Sequence, residues 1–195
     1  MLSRSFTQYI PQNKYYMKSN KLTLTIRDIT LIGMMVAVIE VCKAFMAHIP
    51  NVELTTFWII MFSLYLGKRI YYVIPVFILI EGAIYGFGLW WIMYLYMWPS
   101  LALLTRLFRK SGSVLTFSLF SGMYGLLFGF SSAIPYIFIG TMDGGLMNGF
   151  KVAFAWWVAG IPWDLVHGIA NFIIMLVLYH PITIVMKQTQ KYINS

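Results

Sequence analysis

FKVAFAWWVAGIPWDLVHGIANFIIMLVLYHPITIVM, residues 150–186, is the stretch that decides the fold, because these 37 residues are almost entirely apolar. A single α-helix of this length would measure about 55 Å, whereas one crossing of a bilayer takes about 20 residues. We therefore predict a break at Gly160-Ile161-Pro162 and a helix end at Pro181. The length and apolarity of the stretch predict an all-α membrane protein.

The composition of the whole chain supports this fold class. Hydrophobic residues make up 60% of the 195 residues and charged residues only 10%, which leaves too little polar surface for a water-soluble globule. The net charge of +8 is assigned to membrane orientation and lipid headgroups, so no nucleic acid partner is expected. With one Cys and three His, the chain offers no zinc-ligand spacing, and neither a metal nor a cofactor is expected.

Twelve of the fourteen Lys and Arg residues lie at alternate ends of six apolar segments. Cytoplasmic loops retain Lys and Arg, so this asymmetry predicts six transmembrane helices with both termini in the cytoplasm. The predicted localisation is the cell membrane, as a multi-pass protein in contact with the lipid bilayer. We expect a polar basic tail at 1–28, a six-helix transmembrane substrate-binding domain at 29–186, and a short C-terminal tail at 187–195.

A stripe of polar and aromatic residues runs along the last apolar segment. Its members are spaced by four, four, three and four positions, which aligns them on one side of a helix: Trp156, Gly160, Asp164, His167 and Asn171. Ionisable residues within a membrane usually face the bundle interior, so the stripe predicts a cavity wall. A hydrogen-bonded seam against another helix is the alternative.

Further polar residues interrupt the other segments. Glu40 and Lys43 lie three positions apart on one face of the first helix, where they form either an internal ion pair or a ligand clamp. Glu53, at the outer turn, and Glu81, in the third segment, either bond a ligand or cap a helix. Aromatic residues crowd the outward ends of the segments, as an interfacial belt or as walls for a flat ligand; they include Tyr85, Trp90, Trp91, Tyr94, Trp156 and Trp163.

Short motifs spread over nearly the whole chain carry a family resemblance. They are RDITLIG at 27–33, PNVEL at 50–54 followed by GKR at 67–69, and GIPWDLVHGIAN at 160–171. Together with the six segments, they resemble the substrate-binding S components of energy-coupling factor (ECF) vitamin transporters. The resemblance implies a protein that binds a vitamin and works with a transmembrane coupling subunit and two cytoplasmic ATPase subunits. It also implies docking on the coupling subunit through small residues of the first helix, here Gly33 and Ala37, with Gly33 in place of the first of the family's two alanines.

The chain has no P-loop or dinucleotide-binding glycine motif, so we expect ATP hydrolysis only in the partner subunits and no enzymatic activity here. The predicted function is capture of a vitamin or related small aromatic molecule from outside. The predicted substrate-binding residues are Glu40, Lys43, Glu81, Tyr85, Trp90, Trp91, Trp156, Trp163, Asp164, His167 and Asn171.

Two rival functions come from other classes. An intramembrane hydrolase would pair His167 with a serine of the fifth segment, namely Ser121, Ser131 or Ser132. A non-transporting membrane scaffold would not need the buried polar stripe.

Overall fold

The computed structural model describes residues 24–194, and within this range every regular element is a helix and no strand occurs. The prediction of an all-α protein is confirmed. The helices are α1 Ile26–Met46, α2 Thr55–Tyr65, α3 Ile70–Tyr85, α4 Leu89–Phe108, α5 Val114–Leu126 and α6 Phe128–Asn194, with one turn of 3-10 helix at Gly67–Arg69. Two segments are long and apolar enough to cross a membrane, Ile26–Met46 and Val114–Ile193.

The predicted tail at 1–28 falls mostly outside the described residues. Thr25 caps α1 in a capping box, because its side chain accepts from the Asp28 N–H while the Asp28 carboxylate accepts from the Thr25 N–H. The same carboxylate pairs with Arg69, 2.6 Å from Asp28 Oδ1 to Arg69 Nη2. The start of α1 is thereby fixed to the start of α3.

Other hydrogen bonds join helix ends near the starts of α1 and α3. Arg27 donates to the carbonyl of Tyr192 near the end of α6, and Gln190 Nε2 donates to the Tyr65 carbonyl at the end of α2, 2.9 Å away. Most cations of the described chain collect at this end of the bundle, which we call the basic pole: Arg27, Lys68, Arg69, Arg106, Arg109, Lys110, Lys187 and Lys191. The other end, where α1 and α3 finish and α4 begins, is the opposite pole.

α2 is the shortest helix and forms the centre of the bundle. Ile59, Ile60 and Met61 are fully buried, although successive helical residues point in different directions. The helix is therefore covered on all sides, by α1, α4 and α6 among others. Its position fixes the residues just before it, which border the candidate site.

The chain from Val114 onward folds into a helical hairpin. Its turn lies at Gly144 and Gly145, the non-helical residues inside α6, and Gly145 has a φ of 77°, which glycine adopts without steric cost. The first arm of α6, residues 128–143, follows α5, and both pack antiparallel to the second arm, residues 146–194. Phe117 stacks on Tyr179, and the Gly129 N–H reaches the Asp164 carboxylate.

The predicted break at Gly160-Ile161-Pro162 is wrong, as is the predicted end at Pro181. The second arm is continuous from residue 146 to 194, about 73 Å at the helical rise per residue. A proline removes one backbone hydrogen bond, but its fixed φ is that of a helix. A reversal of the chain needs non-helical dihedral angles, and the glycine pair supplies them.

Glycines allow the two sides of the hairpin to approach closely. A Cβ atom added at Gly125 would lie 2.9 Å from the Cα atom of Gly168, which is backbone and has no freedom to rotate away. Toward the turn, the two arms of the hairpin pack on each other. There Tyr136 stacks on Trp156, with ring centroids 4.0 Å apart.

Candidate functional site

A cavity of about 390 Å³ lies at the opposite pole. It is bordered by the end of α1, the loop that precedes α2, the end of α3 and the start of α4. Cavities of this size accommodate small organic ligands. The residues around it combine charged, aromatic and small apolar side chains: Lys43, Met46, Ala47, Ile49, Pro50, Asn51, Val52, Glu53, Glu81, Tyr85, Trp90 and Tyr94.

Glu53 is held in place by the start of α2. Its carboxylate accepts hydrogen bonds from the Thr55 N–H at 2.8 Å, the Thr56 N–H at 3.2 Å and the Thr56 hydroxyl at 2.6 Å. The first N–H groups of a helix lack internal partners and carry partial positive charge, so a carboxylate is favourable there. Asn51 turns the chain just before, with a φ of 57° that asparagine tolerates better than most residues. Sequence and local geometry thus fix a carboxylate at the cavity wall.

Lys43 and Glu81 form an ion pair across the cavity wall between α1 and α3. The Glu81 side chain is fully buried, and its second oxygen, Oε1, has no hydrogen-bond partner among the described residues. A buried acceptor without a partner is costly, because burial deprives it of water. Glu81 therefore offers the cavity an unused hydrogen-bond acceptor.

Aromatic rings surround the ammonium group of Lys43. Its Nζ atom lies 5.2 Å from the ring centroid of Tyr85, 5.4 Å from that of Tyr94 and 5.9 Å from that of Phe77. Trp90 packs edge-on against Tyr94 at 5.1 Å. Such distances are typical of cation–π contacts. This part of the cavity is an aromatic cage built around a positive charge.

The buried part of the predicted stripe lies behind Glu53. His167 Nε2 is 3.2 Å from Glu53 Oε1, and Asp164 Oδ1 accepts from the Gly129 N–H at 2.8 Å. Asn171 is 1% exposed, and its Nδ2 lacks a partner in the described part of the chain. Of these three side chains, only His167 contacts a residue that lines the cavity. The hydrogen bond from the Gly129 N–H to Asp164 joins two helices, as the alternative interpretation of the stripe as a hydrogen-bonded seam expects.

Trp156 and Trp163 lie elsewhere. They are 47% and 56% exposed on the second arm of α6, and neither lines the cavity. Trp91 uses its Nε1–H on the Ile78 carbonyl, 2.8 Å away, and so fastens α4 to α3. Glu40 does not line the cavity, and Lys43 pairs with Glu81 rather than with Glu40.

Four residues of the predicted set therefore line the cavity: Lys43, Glu81, Tyr85 and Trp90. Glu53 and Tyr94 line it too, although neither belonged to that set. Both left a signal in the sequence, since Glu53 lies two residues before an apolar segment that begins with two threonines and Tyr94 lies one helical turn after Trp90.

The hydrolase alternative needs a serine hydroxyl hydrogen-bonded to His167. Ser132 donates to the Gly129 carbonyl at 2.8 Å, and the hydroxyl of Ser121 is buried without a partner. Neither is hydrogen-bonded to His167, whose Nε2 contacts Glu53 instead. A nucleophile and its base need to lie within hydrogen-bond reach. No such pair occurs among these side chains.

Neither a family model, nor a curated protein, nor a solved structure matches this chain.

Proposed function

We propose that this chain is a membrane-embedded capture subunit that binds a small aromatic molecule from outside, as the S component of an ECF-type importer does. The observation that carries the proposal is the cavity at the opposite pole, where charged and aromatic side chains line a space of about 390 Å³. Preformed cavities that combine aromatic walls with a few fixed polar groups are typical ligand sites.

The surface of the bundle supports a position in the membrane. Large apolar side chains are widely exposed along it, among them Phe45 at 81%, Leu107 at 70% and Phe138 at 68%. Continuous apolar surface of this kind is unfavourable in water and fits the hydrocarbon of a bilayer. We assign six passes of the chain to α1, α2, α3, α4, α5 with the first arm of α6, and the second arm. α2 has 11 residues, about 16 Å, and makes a shortened pass at the centre of the bundle.

The charge distribution supports the orientation. Positive residues favour the cytoplasmic side, so the basic pole and both termini are assigned to the cytoplasm. The cavity then opens toward the outside. A site on that side suits an importer, because it meets its substrate before the membrane is crossed.

The remaining subunits of the importer would supply energy and the translocation path. Gly33 and Ala37 are exposed on α1, and nothing lies within 4 Å of a Cβ atom added at Gly33. This flat strip is suited to close packing of a helix from a transmembrane coupling subunit. Two cytoplasmic ATPase subunits would then drive transport.

Mass spectrometry of small molecules retained by the purified chain tests the proposal. We expect one aromatic compound to co-purify with the parent and to be depleted from Glu81→Gln, which removes a charge from the cavity but keeps its shape. Glu40→Gln is the matched control, because Glu40 lies outside the cavity lining. Retention of no compound by a folded parent, together with uptake that is independent of this chain in cells, would contradict the proposal.

A further inference from the structure

The charges that line the cavity do not balance. Glu53 and Glu81 contribute two carboxylates, whereas Lys43 contributes the one ammonium group of the lining. His167 Nε2 lies 3.2 Å from Glu53 Oε1, behind the lining. Among the lining residues the carboxylates outnumber the ammonium groups by one, which favours a positively charged ligand.

The aromatic walls of the cavity also bear on the charge of the ligand. The faces of aromatic rings carry negative potential, and Tyr85 and Tyr94 already hold the Lys43 ammonium at 5.2 Å and 5.4 Å from their centroids. Both rings also line the open part of the cavity. A second cation would meet these ring faces and two carboxylates as well as the like charge of Lys43, whereas an anion would have Lys43 as its one counter-charge among the lining residues.

The hydrogen bonds of the two carboxylates indicate that the ligand carries a hydrogen-bond donor. Three donors of the α2 start and His167 already occupy the Glu53 carboxylate. Glu81 is different, since Lys43 takes Oε2 while Oε1 is buried without a partner. A ligand N–H group placed there would satisfy that oxygen with a charge-assisted hydrogen bond, which is stronger than a neutral one.

We propose that the molecule captured in this cavity is a flat aromatic compound that carries one positive charge on an N–H group, and that this group donates to Glu81 Oε1. The class includes aromatic amines with a protonated side chain and protonated nitrogen heterocycles. The inference deepens the proposed function and rests on it, since it names the charge of the substrate.

Three indole compounds of similar size test the charge preference: tryptamine is a cation, tryptophol is neutral and indole-3-acetate is an anion. Their binding to the purified full chain is measured by isothermal titration calorimetry. We expect tryptamine to bind about tenfold tighter than tryptophol, the scale of a cation–π contact together with a charged hydrogen bond. Indole-3-acetate should bind no tighter than tryptophol.

Substitutions test whether Glu81 causes the tighter binding of the cationic probe. Glu81→Gln should reduce the advantage of tryptamine over tryptophol to less than about threefold, because the charged acceptor is gone. Glu40→Gln, which removes a carboxylate of α1 outside the lining, should keep the full advantage. A circular dichroism spectrum and a melting curve check that each variant is folded, and Glu81→Asp, which keeps the charge, should retain part of the preference.

Other outcomes separate this inference from the proposed function. A neutral or anionic compound that co-purifies with the chain would overturn the charge inference and leave the capture function standing. The same holds for indole-3-acetate as the tightest probe, or for an unchanged advantage of tryptamine in Glu81→Gln. If a folded chain retains no compound and binds none of the three probes, both are overturned.

Discussion

Gly125→Ala tests whether the hairpin depends on backbone contact between α5 and the second arm of α6. The added Cβ atom would lie 2.9 Å from Gly168 Cα and 3.0 Å from Gly168 N, so the two helices have to move apart. Overpacking of this kind costs about 1 to 3 kcal/mol. The substitution also gains about 1 kcal/mol from the better helix propensity of alanine. The net change in unfolding free energy is therefore between about zero and 2 kcal/mol of destabilisation.

Gly33→Ala is the matched control, because it makes the same substitution in α1, where nothing lies within 4 Å of the new Cβ atom. The gain in helix propensity is common to both variants and cancels in their difference. We expect Gly125→Ala to be less stable than Gly33→Ala by about 1 to 3 kcal/mol. Reversible unfolding in mixed detergent micelles, followed by circular dichroism, measures this difference. Equal stability of the two variants would refute the close backbone contact.

Three further predictions concern orientation, docking and binding. In a background without Cys42, a cysteine at residue 145 should react with an impermeant reagent from outside while one at residue 111 should not, and reversed labelling would contradict the orientation. Gly33→Leu should lower uptake but leave ligand binding by the isolated chain intact, whereas normal uptake would contradict the docking surface. His167→Ala should weaken binding of the co-purifying compound by about 1 to 3 kcal/mol, because Glu53 loses a buried donor. Trp156→Ala should leave the affinity unchanged in the same titration, since that ring stacks on Tyr136 and does not line the cavity.

The all-helical fold could be predicted from the sequence because it depends on total apolarity and charge, which can be counted along the chain. Long apolar runs and few charges fix helix as the fold class without any knowledge of packing. The position of the hairpin turn depends on local dihedral angles instead. Pro162 is the conspicuous helix breaker in the sequence, yet the turn lies at Gly144 and Gly145, where Gly145 has a positive φ that glycine adopts without steric cost.

The site was only partly predictable, because periodicity identifies a helix face but not what that face meets. Asp164, His167 and Asn171 are buried as the stripe implies. Trp156 shares their face, but it stacks on Tyr136 of the first arm and remains 47% exposed. The ion-pair partner of Lys43 could not be predicted either. Glu40 is the nearest carboxylate along the chain, but Glu81 of α3 forms the pair. Spacing within α1 contains no information on which residue of α3 lies beside it.

Glu53 belongs at once to the central helix and to the cavity. Its carboxylate serves four internal donors, so any ligand that draws on its charge competes with the groups that begin α2. A substitution at this residue is therefore expected to change both ligand affinity and stability. Recognition is less constrained at Glu81, because Lys43 takes only one of its oxygens and Oε1 has no partner among the described residues.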